Sequence, residues 1–244
     1  MIDIHSHLIF GVDDGSSCLE ESIRMIEAAE KHNIGTIIAT PHFQNGIFNN
    51  DGVLGKFELL VNKAADYHID IRLGNEVFAD GELLNIIKAK RNINFGNSQY
   101  LLIELPYSAS FEDISKLIYN ITAANIKVII AHPERNRKIM KNFHEFVNLI
   151  REAKCQVQLD AGSITGIYGA FIKEVARQLL KIKAVDYMAS NAHCAGDYMT
   201  VFPEAVQKIY QLCDEEYAMK LLESNAHEII SVEGSASNYG REIG

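Results

Sequence analysis

The sequence lacks the features that direct a chain into a membrane or onto a nucleic acid. No apolar run approaches the ~18–20 residues that a membrane helix needs, so we predict no membrane insertion. The chain has 23 Lys and Arg against 32 Asp and Glu, a formal charge of −9, and no long basic run. Because clustered cations hold most of a phosphate backbone, we expect no nucleic-acid partner.

Cysteine is scarce in the sequence and shows no paired spacing. The four cysteines are Cys18, Cys155, Cys194 and Cys213, without any C-x-x-C motif. This usage is typical of reduced thiols rather than of a disulfide framework. The chain also starts directly with a β-rich run, without the charged leader and apolar stretch of a secretory signal. These absences predict a cytoplasmic location.

One cysteine spacing needs its own interpretation. Cys18 and Arg24 match the C-x5-R signature of cysteine-dependent tyrosine phosphatases. That chemistry needs backbone N–H groups wrapped around a phosphate and a thiol of depressed pKa. Glu20 and Glu21 would lie inside the phosphate loop and repel the phosphate, and the segment has the pattern of an amphipathic helix. We therefore interpret the match as a coincidence.

The chain does contain a regular alternation of β-rich runs and helical patterns, in a composition that is 48% hydrophobic and 23% charged. The predicted strands are 2–5, 36–40, 71–77, 100–105, 127–131, 156–159 and 185–189. The predicted helices are 20–32, 53–67, 111–124, 143–153, 172–182, 203–212 and 215–230. Strands alternating with helices of this length indicate parallel β/α units, about seven of them. The predicted fold class is α/β.

Histidines and glutamates stand at the carboxyl ends of these predicted strands. They are His5 and His7, His42, Glu76, Glu104, His132 and His193. His5 and His7 are two residues apart, and such residues point to the same side of a strand. In a β/α barrel the carboxyl ends of the strands converge on the face that carries the active site. Five imidazoles and two carboxylates on one face predict a multinuclear metal site.

These ligand types suit several divalent metals and leave the choice open. Imidazole binds Zn, Fe, Mn, Co or Ni, and the carboxylates favour harder ions such as Mn²⁺ or Fe. Two or three ions a few ångströms apart form a clamp suited to phosphoryl transfer. Arg135 follows His132 by three residues, and its guanidinium can bind phosphate in bidentate fashion. We expect Arg137 to be an ordinary surface charge.

Several motifs together resemble a known family. MIDIHSHLIFGVDDG, IIATPH, GNEV, YLLIELP, VIIAHPERN, QLDAGSITGIYG and ASNAH are similar to the CpsB/CapC/YwqE-type proteins of the PHP (polymerase and histidinol phosphatase) superfamily. These are metal-dependent bacterial protein-tyrosine phosphatases associated with capsule or exopolysaccharide synthesis. The resemblance runs from residue 1 to about residue 195 and weakly through the last helices. The DDG and HPERN motifs are its most specific parts.

The resemblance implies a distorted, TIM-like (β/α)7 barrel of PHP type, as a single domain over 1–230, and the Gly- and Ser-rich residues 231–244 are predicted to be a flexible tail. It implies up to three divalent ions, manganese first, with Fe, Zn, Co or Mg as other candidates. The implied ligands are His5, His7, Asp14, His42, Glu76, Glu104, His132, Asn191 and His193. The implied reaction is hydrolysis of phosphotyrosine by a metal-bound hydroxide, with Arg135 as the phosphate-binding and catalytic arginine. The implied partner is a phosphotyrosine-bearing protein, a bacterial tyrosine kinase controlling capsule synthesis.

Two positions depart from the family pattern. The family motif S-D-A-H reads Ser-Asn-Ala-His here, so Asn191 offers a neutral amide oxygen in place of a carboxylate. A second phosphate-binding arginine of the family is missing from CAGDYMTVF, and Tyr198 stands near its place. Asp160 ends the sixth predicted strand, and we expect it to play a structural or supporting role.

Three explanations of Asn191 follow in order of preference: a working phosphatase with a modified site, a catalytically weak phosphotyrosine-binding relative, or an engineered substitution. Another PHP-type phosphomonoesterase, acting on a substrate such as histidinol phosphate, is the alternative within the same fold.

Overall fold

The protein is built on parallel strands that are buried on both faces. A computed structural model describes residues 1–48, 52–88, 95 and 98–231. Its strands are β1 (Ile2–Ser6), β2 (Thr36–Ala39), β3 (His42–Phe43), β4 (Asp70–Leu73), β5 (Glu76–Phe78), β6 (Tyr100–Glu104), β7 (Lys127–Ala131), β8 (Gln156–Asp160) and β9 (Tyr187–Ala189). Runs such as TIIA in β2 are apolar almost throughout, as expected for parallel strands covered by helices on one side and by a core on the other.

The strands form two sheets, and neighbouring strands in both sheets are parallel. One sheet has the order β1-β2-β4, and the other has the order β3-β5-β6-β7-β8-β9. The single predicted strand 71–77 is wrong in one respect, since the structure divides it into β4 and β5. Pro41 has no N–H to donate to a ladder, and it separates β2 from β3 beside the break between β4 and β5. Backbone bonds from Gly74 to Ala39 and from Glu76 to Pro41 hold the two interrupted strands side by side.

The first and last strands meet without a regular ladder. A single parallel bridge joins Ser6 to Ala192. The N–H of His7 donates to the Ala192 carbonyl and that of Asn191 to the His5 carbonyl, both at 2.9 Å. The strand segments thus follow one another in sequence order around an incomplete barrel. This confirms the predicted α/β fold, although among the described residues no continuous ladder closes the barrel.

Helices lie along the outside of the strands. They are α1 (Leu19–Lys31), α2 (Val53–Lys63), α3 (Leu83–Lys88), α4 (Phe111–Ala123), α5 (Arg137–Lys141), α6 (Phe143–Glu152), α7 (Ala161–Thr165), α8 (Ala170–Lys181), α9 (Phe202–Leu212), α10 (Glu215–Met219) and α11 (Ala226–Ser231). The single helix predicted over 215–230 is wrong, because a π-helical turn, Lys220–Ser224, separates α10 from α11. That turn buries Leu221 and Leu222 next to each other. Within the described residues, no helix combines the length and apolar character needed to cross a bilayer.

Two apolar cores flank the strands. The larger lies between the strands and the helices. The smaller contains alternate residues of several strands, among them Ile4, Leu102 and Ile129, together with Ala226 and Ile229 of α11. Apolar side chains thus fill the barrel interior, and polar ligands are left to the carboxyl ends of the strands. The predicted tail, 231–244, lies outside the described residues except for Ser231, which ends α11.

Candidate metal centre

Glu76, the first residue of β5, lies at the centre of the predicted ligands. Its carboxylate is 1% exposed, and Oε2 is 3.3 Å from Nε2 of His5 and 3.3 Å from Nε2 of His7. The same oxygen is 3.0 Å from Nδ1 of His42. Oε1 is 2.8 Å from Nε2 of His132. Four imidazoles from β1, β3 and β7 and their following loops therefore surround one carboxylate, as the convergence of strand ends predicts.

Among the residues that the structure describes, three groups of side chains each have ligand atoms close enough to share a metal ion. In each group the ligand atoms lie within 4.8 Å of one another. The groups are His7 with Asp14, His42 and His193; His5 with His7 and Glu76; and His42 with Glu76 and Glu104. Each group shares a member with each of the others. The arrangement brings together seven of the nine predicted ligands and leaves His132, which contacts Glu76, and Asn191 at its edge.

Several polar atoms of this cluster are buried without a hydrogen-bond partner. They include Nε2 of His5, Nε2 of His7, Oε2 of Glu76 and Oδ1 of Asn191. Burying such atoms unpaired is unfavourable, and native structures contain few of them. Imidazole nitrogens and carboxylate oxygens with free lone pairs are the ligand set of divalent transition metals. The residues present therefore fit a metal centre.

In His5, His7 and His193, the ring nitrogen that points away from the cluster is hydrogen-bonded to another residue. Nδ1 of His7 donates to Oδ2 of Asp13 at 2.8 Å, and Nδ1 of His5 donates to Oε1 of Gln158 at 3.0 Å. Nδ1 of His193 donates to the Asn191 carbonyl at 2.9 Å. These bonds fix the ring orientation and leave Nε2 free toward the cluster, as is usual for metal-binding histidines. Sequence reasoning missed Asp13 and Gln158 in this role.

The charges in the cluster perturb one another strongly. Burial would raise the pKa of Glu76, but the facing histidines hold it well below its usual range. Burial would likewise lower the pKa of His7, yet its hydrogen bond to Asp13 and the adjacent carboxylate of Glu76 raise that pKa to about 10. Burial opposes but does not prevent the lowering of the Asp13 pKa to about 2 by His7. The carboxylates stay ionised and attract positive charge, which favours metal cations as well as protons.

The outer side of the centre is open to solvent. Asp14 has an exposed fraction of 65%, and its Oδ1 is 3.4 Å from Nε2 of His42 and 3.3 Å from Nε2 of His193. Glu104, the last residue of β6, accepts a hydrogen bond from the Tyr107 hydroxyl at 3.1 Å. An approaching substrate would therefore meet the group formed by His7, Asp14, His42 and His193 from this side.

Two residues of the site have an uncommon backbone conformation. His132 has φ 32° and Asn191 has φ 48°. The other non-glycine residues of positive φ among those described are Asn33, Asn125, Lys154 and Lys183, which follow helices. Left-handed residues are common after helices. At buried strand ends such conformations cost energy and cluster at functional sites. Both residues turn the chain away from its strand directly beside the ligand cluster.

Arg135 lies beside the cluster and is held by two neighbours. Nη1 of Arg135 donates to Oδ2 of Asp160 at 3.1 Å. The guanidinium carbon is 4.6 Å from the centre of the Tyr168 ring, a cation–π contact. Gly162 leaves room for that ring, because a Cβ there would lie 2.6 Å from Cε2 of Tyr168. The arginine side chain is 27% exposed and remains reachable from solvent.

Three other residues singled out in the sequence lie in the core or at the surface: Tyr198, Arg24 and Arg137. Tyr198 is fully buried and donates to Oδ2 of Asp3 at 2.7 Å, so it does not replace the missing arginine. Arg24 lies in helix α1 and pairs with Glu21 at its surface, so the residues after Cys18 form a helix and not a phosphate-binding loop. Arg137 is exposed, as expected.

Comparison with known proteins assigns the family. The family model described as "Capsular polysaccharide synthesis, CpsB/CapC" matches residues 1–231. The chain belongs to the CpsB/CapC family. The tyrosine-protein phosphatase YwqE of Bacillus subtilis (strain 168) is 32% identical over 197 residues, covering 79% of this chain and 77% of the relative. The tyrosine-protein phosphatase CpsB of Streptococcus agalactiae serotype III (strain NEM316) is 30% identical over 240 residues, covering 94% of this chain and 98% of the relative.

Solved structures support the same relationship for this CpsB/CapC chain. A structure from a study of Bacillus subtilis YwqE and Streptococcus pneumoniae CpsB, described as unique metal-dependent tyrosine phosphatases, matches with a TM-score of 0.86. It is 30% identical, and the match covers 96% of both chains. Histidinol phosphate phosphatase from Lactococcus lactis matches with a TM-score of 0.55 at 13% identity, over 84% of this chain and 93% of that chain. At that identity the likeness shows the fold alone.

Proposed function

We propose that this chain is a metal-dependent tyrosine-protein phosphatase that hydrolyses phosphotyrosine on a protein. The observation that carries the proposal is the set of three overlapping ligand groups around Glu76, whose ligand atoms lie within 4.8 Å of one another in each group. The relatives YwqE and CpsB, which are named tyrosine-protein phosphatases, support the substrate. The proposed partner is a bacterial tyrosine kinase that controls capsule or exopolysaccharide synthesis, and the proposed location is the cytoplasm.

The proposed ligands are the residues around Glu76 and at its edge. They are His5, His7, Asp14, His42, Glu76, Glu104, His132, Asn191 and His193. Divalent ions held there, Mn²⁺ first and Fe, Zn, Co or Mg as alternatives, would neutralise the phosphate charge and lower the pKa of a water molecule. Up to three ions correspond to the three groups. The free Oδ1 of Asn191 supports a working site in which an amide replaces a carboxylate ligand.

The protein's own residues orient the substrate and the ligands. Asp13 and Gln158 hold the rings of His7 and His5 so that each Nε2 faces the cluster. Arg135 keeps N–H groups beyond the one bound to Asp160, and these would bind phosphate oxygens. The leaving group is a phenol, with a pKa of about 10 when free. A phenolate is a better leaving group than an alkoxide, because phenol is the stronger acid.

The test measures phosphate release from a phosphotyrosine peptide in Mn²⁺, with histidinol phosphate as the competing substrate. The Glu76→Gln variant removes the central negative charge with almost no change in shape. The matched control is Glu82→Gln, which changes an exposed carboxylate outside the site. We expect activity on the peptide in the wild type and in the control, and a loss of at least about 100-fold in Glu76→Gln and in chelated enzyme.

The outcomes separate the candidate functions. Faster turnover of histidinol phosphate than of the peptide would replace the proposed function with that of a small-molecule phosphatase. Saturable binding of the peptide without turnover in any divalent metal would indicate a phosphotyrosine-binding protein. Full activity of Glu76→Gln would show that the cluster around Glu76 is not the active site.

A further inference from the structure

Asp160 connects two residues of the proposed site through a single oxygen atom. It ends β8 and is fully buried. Oδ2 accepts hydrogen bonds from Nη1 of Arg135 at 3.1 Å and from Nδ2 of Asn191 at 3.0 Å. Oδ1 accepts from the N–H of Gly162 at 2.7 Å and thereby caps α7. The two oxygens have separate tasks, one toward the backbone and one toward the site.

The bond to Asp160 determines which way the Asn191 amide faces. A carboxylate only accepts hydrogen bonds, so the NH₂ end of the amide must point to Asp160. The opposite end, Oδ1, is then buried without a partner. The backbone of Asn191 is bound to the cluster as well, since its N–H donates to His5 and its carbonyl accepts from His193. The unpaired oxygen is the atom with which Asn191 would bind a metal.

The same carboxylate holds Arg135 in place. The guanidinium lies between Asp160 and the Tyr168 ring, which restrict its position from two sides. Ordering a flexible arginine before the substrate arrives lowers the entropic cost of binding. We propose that Asp160 is a positioning residue that directs the Asn191 amide oxygen and the Arg135 guanidinium toward the metal cluster, so that this part of the site carries its negative charge at position 160 instead of 191.

The proposal rests on the proposed function, and it predicts that substitutions at positions 160 and 191 compensate each other. In Asp160→Asn, the cap to Gly162 occupies Oδ1, so the new NH₂ would face the N–H groups of Asn191 and Arg135. In Asn191→Asp, two carboxylate oxygens would face each other near 3.0 Å, the present distance between Nδ2 and Oδ2. Either single change sets like against like, whereas the exchanged pair, D160N/N191D, restores one donor and one acceptor.

The test is a double-mutant cycle on metal binding. Mn²⁺ affinity and stoichiometry are measured by titration calorimetry on four metal-free proteins: the wild type, both single variants and the exchanged pair. Each is treated with a chelator, which is removed before the titration. We expect each single variant to bind about tenfold more weakly and the pair to recover to within about threefold of the wild type. The control is Asp186→Asn. Asp186 lies just before β9, and its carboxylate accepts a hydrogen bond from the Val157 N–H, outside the site.

A second readout tests the effect on Arg135. In Asp160→Asn, KM for the phosphotyrosine peptide should rise about tenfold, with a smaller fall in kcat, because the guanidinium is no longer ordered. A lower KM would overturn the positioning role, since Asp160 would then be competing with phosphate for Arg135.

The possible failures can be told apart. Wild-type-like Mn²⁺ binding in Asp160→Asn, or single effects that simply multiply in the pair, would overturn the positioning role and leave the proposed function standing. A wild-type chain that binds no Mn²⁺ would overturn the proposed function, and the positioning role with it. Thermal melting of each metal-free single variant distinguishes weak Mn²⁺ binding by a folded protein from a loss of folding.

Discussion

Gly15 gives the sharpest test of how the DDG motif builds the site. A Cβ added at this position would lie 2.3 Å from Cβ of His7 and 2.4 Å from its carbonyl oxygen. Optimal contacts between carbon atoms are about 3.5–4.0 Å, so the alanine cannot be accommodated without movement. The segment has little freedom to move, because Ser16 donates to the His7 carbonyl at 3.0 Å and Asp13 holds the His7 ring at 2.8 Å.

Gly15→Ala should therefore lower both the free energy of unfolding and the metal affinity. Overpacking typically costs 1–3 kcal/mol, and because the clashing atoms are the Cβ and the backbone oxygen of His7, which no side-chain rotation can move away, we place this variant at ~3 kcal/mol. For a chain of this length that corresponds to a fall of about 6–12 °C in melting temperature. The displaced His7 should weaken Mn²⁺ binding by about 10–100-fold, as loss of an orienting contact does.

The assay combines thermal melting of the chelated protein with Mn²⁺ titration. Gly55→Ala is the matched control, because Gly55 lies in α2 and a Cβ there meets nothing within 4 Å. The control should raise stability by ~0.5–1 kcal/mol, the usual gain for alanine over glycine in a helix, and leave metal binding unchanged. A Gly15→Ala protein with the melting temperature and Mn²⁺ affinity of the wild type would refute the reasoning.

Three further predictions concern buried polar groups. Burial and the charge of Asp160 raise the pKa of Glu134 from 4.5 to about 7. The folded state thus binds this proton more tightly, and the free energy of unfolding should fall by ~3 kcal/mol as the pH rises from 4.5 to 7. Denaturation of the metal-free Glu134→Gln variant should lack this loss. If the variant shows the same pH dependence as the wild type, Glu134 is not the group responsible. Tyr198→Phe removes the donor to Asp3 and should cost about 1–3 kcal/mol in the same assay. Because Tyr198 is not in the site, a change in KM above about threefold would argue against its structural role. Mn²⁺ at 100 times its dissociation constant should stabilise the wild type by ~2.7 kcal/mol, measured by melting, and Glu76→Gln should show almost no such shift.

The sequence predicted the fold class, and it predicted that several ligand-type side chains would meet at the strand ends, for a simple physical reason. Parallel strands separated by helices have their carboxyl ends on one face, so side chains such as His42, Glu76 and His132 were expected to meet. The structure brings them together around Glu76. Asp14 could not be placed in this way, because Asp-Asp-Gly is also an ordinary turn signal, and only the family resemblance assigned it.

Other features depended on partners that are distant along the chain. The breaks in the strands at Pro41 and Gly74 could not be predicted, because they are defined by the pairing of two strands that are distant in sequence. Asp13 and Gln158 were missed because the role of each is defined by the ring nitrogen it contacts.

The sequence by itself determined that this is a parallel α/β protein with imidazoles and carboxylates at its strand ends, since periodicity and ligand chemistry are local properties. Only the tertiary structure decided how Asp160, Arg135 and Asn191 are connected, although 25 residues or more separate Asp160 from each of the other two. A carboxylate in a sequence has many possible partners. The folded structure determines which donors lie within hydrogen-bond distance of that carboxylate, in a region from which water is excluded.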